Sequence, residues 1–280
     1  MKKLDTSKAI IIKFFMFTTS LVGLALITAF QPIYGNIPLI IIPGILVIVF
    51  AKPVFFEKMK LTTLLTLRIL VVFASLRILD PKYYVDIVLV MLIVNIAEAT
   101  YTDIFKYKRY LNGISGIAVG LGVLCLKGVW MLDAPYGDYY LITGLSSTIS
   151  LMYIIAYTIW NWIFVTNEFS DSVSLMHIGF LATPIIGSLL TLPMGIYGGL
   201  GLWLVLRANS LSIGGWLQIG AKEWFEEQFV SEKFSKFVAF TKTNNMQILF
   251  MLINVILVVF MFVLTTQLGG NIGLNLSFLG

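Results

Sequence analysis

Residues 245–267 read NMQILFMLINVILVVFMFVLTTQ, 23 consecutive residues without a charged side chain. At about 1.5 Å of rise per residue, a helix of that length crosses a hydrocarbon layer about 30 Å thick. Lipid offers no hydrogen bonds, so every backbone N–H and C=O must be satisfied inside the segment, and a helix does this. The same composition recurs outward from this stretch. The 280 residues are 59% hydrophobic and 12% charged, with a mean hydropathy of +0.94, whereas soluble domains carry about 25% charged residues. The expected fold class is all-α, a polytopic transmembrane helix bundle forming a single transmembrane domain over residues 1–280.

Hydropathy places nine spans near residues 9–30, 35–52, 61–79, 84–103, 111–127, 139–165, 172–192, 194–207 and 245–267. The eighth is short and rich in glycine (Gly195, Gly198, Gly199, Gly201), and it can continue past Arg207 to Trp216 as a broken helix. The first opens like a signal peptide, with Lys2 and Lys3 ahead of an apolar run. Lys13 interrupts that run, and the stretch is long enough to span, so a retained first helix is expected. Between the last two spans, residues 221–243 form a polar stretch in which Val230, Phe234, Phe237 and Val238 recur at helical spacing. This segment is expected to lie as an amphipathic helix on the inner leaflet.

The net charge of +5 comes without any soluble cluster of basic and aromatic residues, so nucleic acid is not an expected partner. The charges sort by loop instead. With a cytoplasmic N-terminus, fourteen of the nineteen basic residues fall on the inside, and only Arg77, Lys82 and Lys127 lie in outer loops. That is the positive-inside distribution of a plasma (inner) membrane protein, and an odd span count puts the C-terminus outside.

Polar side chains at membrane depth are costly and usually face the interior of the bundle. Counted from a span starting at residue 61, Arg68 sits at about 10 Å depth, as does Glu98 counted from the other end of its span, so the two are expected to pair. The same cytoplasmic third holds Asn95, Asp103, Asn112, Asn161, Asn167, Glu168, Asp171, His177, Arg207 and Asn209. Each also has a structural reading: an ion pair for Arg68 with Glu98, interhelical hydrogen bonds for Asn95 and Asn161, packing for the lone His177, and solvation for Glu168 and Asp171. Tyr153, Tyr157, Trp160 and Asn161 share one helix face, and aromatics there usually anchor a helix at headgroup level. Gly116 and Gly120 form a GxxxG pattern of close helix packing. The single cysteine, Cys125, has no partner for a disulfide.

Residues 94–113, VNIAEATYTDIFKYKRYLNG, and 155–171, IAYTIWNWIFVTNEFSD, resemble a family of bacterial multi-span membrane proteins known only as a domain of unknown function. Its pattern falls here on Asn95, Glu98, Ala99, Asp103, Asn112, Gly113, Ala156, Tyr157, Trp160, Asn161, Ser170, Asp171, Arg207 and Ala208. The resemblance covers residues 37–211 and implies a shared fold, with no known activity attached. The chain departs at Leu206, where the family has a histidine, and in its uncharged tail at residues 269–280.

There is no HExxH, no paired histidines, no GxSxG elbow and no P-loop, so neither a metal nor another cofactor is expected, and an enzyme is the less favoured class. The expected function is a transporter or channel for a small polar or ionic solute, embedded in the lipid bilayer. Its cytoplasmic-side cavity would be lined by Arg68, Asn95, Glu98, Asp103, Asn112, Tyr157, Trp160, Asn161 and Arg207. A membrane-embedded enzyme acting on a lipid-linked substrate and a non-catalytic assembly or sensor subunit stay open beside it. The sequence leaves the solute and the oligomeric state undetermined.

Overall fold

The structure, a computed structural model, describes residues 6–51, 55–274 and 276. Lys2, Lys3 and Lys52, which carry part of the orientation argument, lie outside the described residues, as does most of the end of the tail. The described residues are largely helical, and six of their helices are long and apolar enough to cross a membrane: Lys8–Phe30, Pro32–Phe50, Pro81–Lys106, Ser147–Glu168, Asp171–Leu190 and Asn244–Gln267. The chain divides into two compact units: Met1–Tyr84 with Trp130–Leu141 and Ser172–Ser231, and Val85–Val129 with Ile142–Asp171 and Glu232–Gly280.

In the first unit, α1 (Thr6–Phe30) is followed by a span in three pieces, α2 (Pro32–Asn36), a π turn (Ile37–Ile41) and α3 (Ile42–Phe50). Pro32, Pro38 and Pro43 sit in the first turn of each piece. A proline has no N–H to give, so it is tolerated where the helix starts and breaks the ladder elsewhere. α4 (Phe55–Ser75), α8 (Asp171–Leu190), α9 (Trp203–Gly220) and α10 (Lys222–Gln228) complete this unit together with the first turn of α5 (Pro81–Tyr101). α9 packs against α1, α3 and α4. Gly214 admits Phe180 of α8 and Gly44 admits Trp216, contacts a Cβ would block. Pro184, inside α8, cannot donate to the Phe180 carbonyl. The Ser210 hydroxyl of α9 donates to that oxygen instead, at 3.1 Å.

In the second unit, α5 runs into a π turn (Thr102–Lys106), and α6 (Tyr110–Gly122) ends in a 3-10 turn (Val123–Cys125). α7 (Ser147–Glu168), α11 (Glu232–Thr241) and α12 (Asn244–Gln267) follow. α12 packs against α6 and α7. The N-cap of α7 is Ser146, whose side chain accepts from Ile149 N at 3.3 Å.

Three sequence expectations change here. Residues 139–165 are not one helix. Tyr139–Gly144 is strand β2, paired in a two-stranded sheet with β1 (Leu126–Met131) across a turn containing Pro135 and Gly137, and the helix starts only at Ser147. Nor do residues 194–207 form a helix from their start. Gly195 and Gly199 take φ of 60° and 64°, the left-handed region that suits glycine, and the segment is two 3-10 turns (Leu192–Tyr197, Gly199–Leu202) before α9 restarts at Trp203. The polar segment 221–243 is two helices, with Val230 in the break between α10 and α11. Phe234 and Phe237 of α11 lie against Trp162 of α7, at ring separations of 6.1 and 5.8 Å, and Val238 is buried.

Candidate functional site

The densest group of charged side chains in the second unit forms where α5 ends and α6 begins. Asp103, the second residue of the π turn, is fully buried. A π turn holds more residues than an α turn and is often found at functional sites. Beyond it the chain reverses through Lys108, which has a φ of 57°, and the Arg109 N–H returns to the Asp103 carbonyl at 2.7 Å. A left-handed residue other than glycine is strained by about 1 kcal/mol or more, so the turn is held by its surroundings.

Those surroundings are polar. Asn112, in the first turn of α6, donates from Nδ2 to Asp103 Oδ2 at 2.6 Å. The Arg109 guanidinium lies between two carboxylates, with Nη1 3.5 Å from Asp103 Oδ1 and 3.7 Å from Glu168 Oε2. Its Nη2 donates to the Asn167 carbonyl at 2.9 Å, and its plane covers the Tyr107 ring at 4.2 Å. Tyr107 in turn donates its hydroxyl proton to Glu168 Oε1 at 3.1 Å. Arg109 thus joins the end of α5 to the end of α7, and Lys106, whose Nζ lies 4.7 Å from the centroid of the Tyr107 ring, adds a second positive charge beside the two carboxylates.

The face that α5 and its π turn present to α6 carries Ile96, Thr100 and Ile104, opposite Gly120, Gly116 and Gly113. The GxxxG pattern is therefore a packing groove, and it has a polar floor. A Cβ on Gly116 would overlap Thr100 Oγ1 and come within 2.8 Å of Trp160 Nε1. Neither of these buried atoms has a hydrogen-bond partner among the described residues, and neither does Glu98 Oε1. Tyr157 and Asn161 are buried on α7, with the Tyr157 ring 5.5 Å from Trp160, so the aromatic stripe faces the interior of this unit. Asn95 is half-buried on α5.

The two arginines of the expected site belong to the first unit. Arg207, on α9, is buried near the ring of His177, whose Nδ1 lies 3.0 Å from the Val173 carbonyl. Arg68 is 1% exposed, and its Nη1 donates to Asn209 Oδ1. α4 starts at Phe55, because the polar turn containing Lys58 and Lys60 is helical too, and Arg68 stands seven residues before its end at Ser75. Glu98, its expected partner, belongs to the second unit.

Several residues of the site escaped the sequence reading. Glu168, read there as solvated, has a side chain only 17% exposed and is held by Arg109 and Tyr107. Arg109 counted only as a loop charge. Asn254 of α12 is fully buried, and neither its amide oxygen nor its nitrogen has a partner among the described residues. Its signal was present: it is the lone polar residue in the run from Ile248 to Leu264. Among the described residues no group of His, Cys, Asp and Glu is arranged to hold a metal ion. No protein-family model, no curated protein and no solved structure matches this chain.

Proposed function

We propose that this chain is a multi-span membrane protein that passes a small polar or ionic solute through the polar interior of its second unit. The carrying observation is a set of interior polar atoms on three helices, Glu98 Oε1 and Thr100 Oγ1 on α5, Trp160 Nε1 on α7 and the Asn254 amide on α12, that have no partners among the described residues. Buried polar groups in folded proteins are almost always paired with protein, water or ligand. In a membrane their retention points to a pathway. Asn95, Asn112, Tyr157 and Asn161 add hydrogen-bonding groups to this path, and Glu98 and Asp103 supply charge. Arg68 and Arg207 act in the first unit as fixed positive charges.

In this reading α4, α6 with its 3-10 turn, and α9 join the six long apolar helices to make nine crossings. The N-terminus is cytoplasmic, the C-terminus is outside, and α10 and α11 lie along the inner face of the plasma membrane. The family resemblance of residues 94–113 and 155–171 belongs to this proposal. A reporter fused after residue 280 should behave as extracytoplasmic and one inserted in the 229–231 break as cytoplasmic; the reverse result removes the nine-span arrangement. For function, proteoliposomes should shrink and recover under gradients of potassium chloride, ammonium chloride, urea or glycerol faster than empty vesicles. Glu98→Gln should remain folded and change that rate about tenfold or more. Rates equal to those of empty vesicles for every solute would overturn the reading.

A further inference from the structure

The environment of Arg68 has an unusual hydrogen-bond inventory. Nη1 is used on Asn209, and the Asn209 amide is itself oriented by donation from Nδ2 to the Ala25 carbonyl at 3.2 Å. Arg68 Nε and Nη2 are buried and meet no acceptor at normal hydrogen-bond geometry, the Tyr140 hydroxyl being the nearest to one, and no carboxylate among the described residues pairs with the guanidinium. Its electrostatic neighbours are the phenols of Tyr84 and Tyr140. Trp130 completes an aromatic box, with ring centroids 5.2 Å apart for Tyr84 and Tyr140, 5.9 Å for Tyr84 and Trp130, and 6.3 Å for the stacked pair Trp130 and Tyr140. The hydroxyls of Tyr84 and Tyr140 and the indole Nε1 of Trp130 are buried, and none makes a hydrogen bond of normal geometry among the described residues.

Arginine and tryptophan side chains only donate, and a phenol brings one proton with its oxygen. Even if both phenol oxygens accepted from Arg68 and one phenol donated to the other, one phenol proton and the indole N–H would still lack acceptors. The one fixed side-chain acceptor, Asn209 Oδ1, is already engaged. The box is therefore short of acceptors and carries a positive charge with no counter-charge, the opposite of the mixed set in the second unit. A compact anion meets both needs at once, since it is negative and accepts from several directions.

We propose that Arg68, Tyr84, Trp130, Tyr140 and Asn209 form a binding site for a compact anionic group, supplied either by a free inorganic anion or by the phosphate of a phospholipid. The site does not depend on solute passage through the second unit.

The test uses the full chain purified in detergent into gluconate at fixed ionic strength, titrated with chloride and then with inorganic phosphate. Thermal unfolding and tryptophan emission are followed, and native mass spectrometry reports retained phospholipid. A free-anion site gives a saturable rise in Tm and a change in emission in the wild type. Tyr84→Phe and Tyr140→Phe, which keep the rings and remove one donor each, weaken the apparent affinity about tenfold apiece. Arg68→Gln abolishes the effect; should that variant fail to fold, the two phenylalanine variants still decide. Arg77→Gln, which alters an exposed pair with Asp138, leaves the response unchanged. Anionic phospholipid retained by the wild type and lost from both phenylalanine variants, with no response to added salts, assigns the site to lipid phosphate. A wild type that shows neither an anion response nor a retained lipid sensitive to these substitutions overturns the proposal.

Discussion

Asn112 reaches back nine residues to donate a 2.6 Å hydrogen bond to Asp103, and so ties the first turn of one helix to the π turn that ends the helix before it. The acceptor is a fully buried carboxylate, and its other oxygen depends on Arg109 at 3.5 Å. Asn112→Ala leaves one carboxylate oxygen without its donor, at a cost of about 1–3 kcal/mol. In detergent this should appear as a Tm several degrees lower. Asp103→Asn should cost less, since an amide pair keeps one hydrogen bond and removes the buried charge. Equal losses in the two variants would show that the link is not the source of the stability.

Arg109 serves three acceptors from a planar fork, and a lysine cannot reproduce that geometry. Its side chain is about a quarter exposed, so the ion pairs themselves are screened, and Arg109→Ala should cost about 1–2 kcal/mol overall. Arg109→Lys should recover less than half of that. The loss should be local. Hydrogen exchange should quicken at residues 103–112 and 165–168 and stay unchanged in α12; uniform quickening would contradict the local role.

Two glycines in helix interiors predict opposite outcomes. Gly116→Ala forces its new Cβ onto Thr100 and Trp160, whereas at Gly23 of α1 a Cβ meets nothing within 4 Å. The first should destabilise by about 1–3 kcal/mol through overpacking. Gly23→Ala should stabilise by about 0.5–1 kcal/mol through helix propensity alone. Thermal melts of the two variants against the wild type would test both signs.

Tyr139, in β2, donates to the Tyr197 carbonyl at 2.6 Å, and burial pushes its phenol from 10.0 up to about 12. Between those values the unfolded chain has lost the proton and the folded chain still holds it. Stability should therefore be intact below pH 10 and fall as the pH rises from 10 to 12. Tyr139→Phe should lower stability at neutral pH and flatten the alkaline decline by up to one proton, measured by unfolding at stepped pH. An unchanged slope would mean that another group sets it.

The long apolar helices were legible because composition alone decides them: α1, α7, α8 and α12 lie within a few residues of their expected positions except at the start of α7. That start failed for a physical reason. Residues 139–144, YYLITG, are a short apolar run that hydropathy cannot distinguish from the first turns of a span, although the Pro135 and Gly137 turn stood just before it. The helical start of α4 was lost by the same averaging, since the polar residues 57–60 lower hydropathy without ending a helix. In the site, Asp103 and Asn112 were visible as polar residues at membrane depth. The bridge from Arg109 to Glu168 spans 59 positions, and no local periodicity reports a contact of that kind. Asn254 was overlooked because the run around it is so apolar that it reads as settled.

The hairpin that displaced part of the expected sixth span also constrains the membrane itself. A two-stranded sheet has open edges, and unpaired backbone is excluded from lipid-facing hydrocarbon. In the proposed nine-span arrangement, hydrocarbon facing α6 is thus limited to Tyr110–Cys125, 16 residues or about 24 Å of helix, while its neighbour α12 runs 24 residues, about 36 Å. At the short helix's end the chain beyond α12 folds back, and Gly273 N–H donates to the Leu124 carbonyl at 3.1 Å, so that backbone is satisfied by protein at a level lipid would otherwise reach. In that arrangement the hydrophobic belt of the second unit is uneven. A bilayer about 30 Å thick would pinch beside α6, which would make local thickness, and the lipid chain lengths that set it, a variable to which such a fold is sensitive.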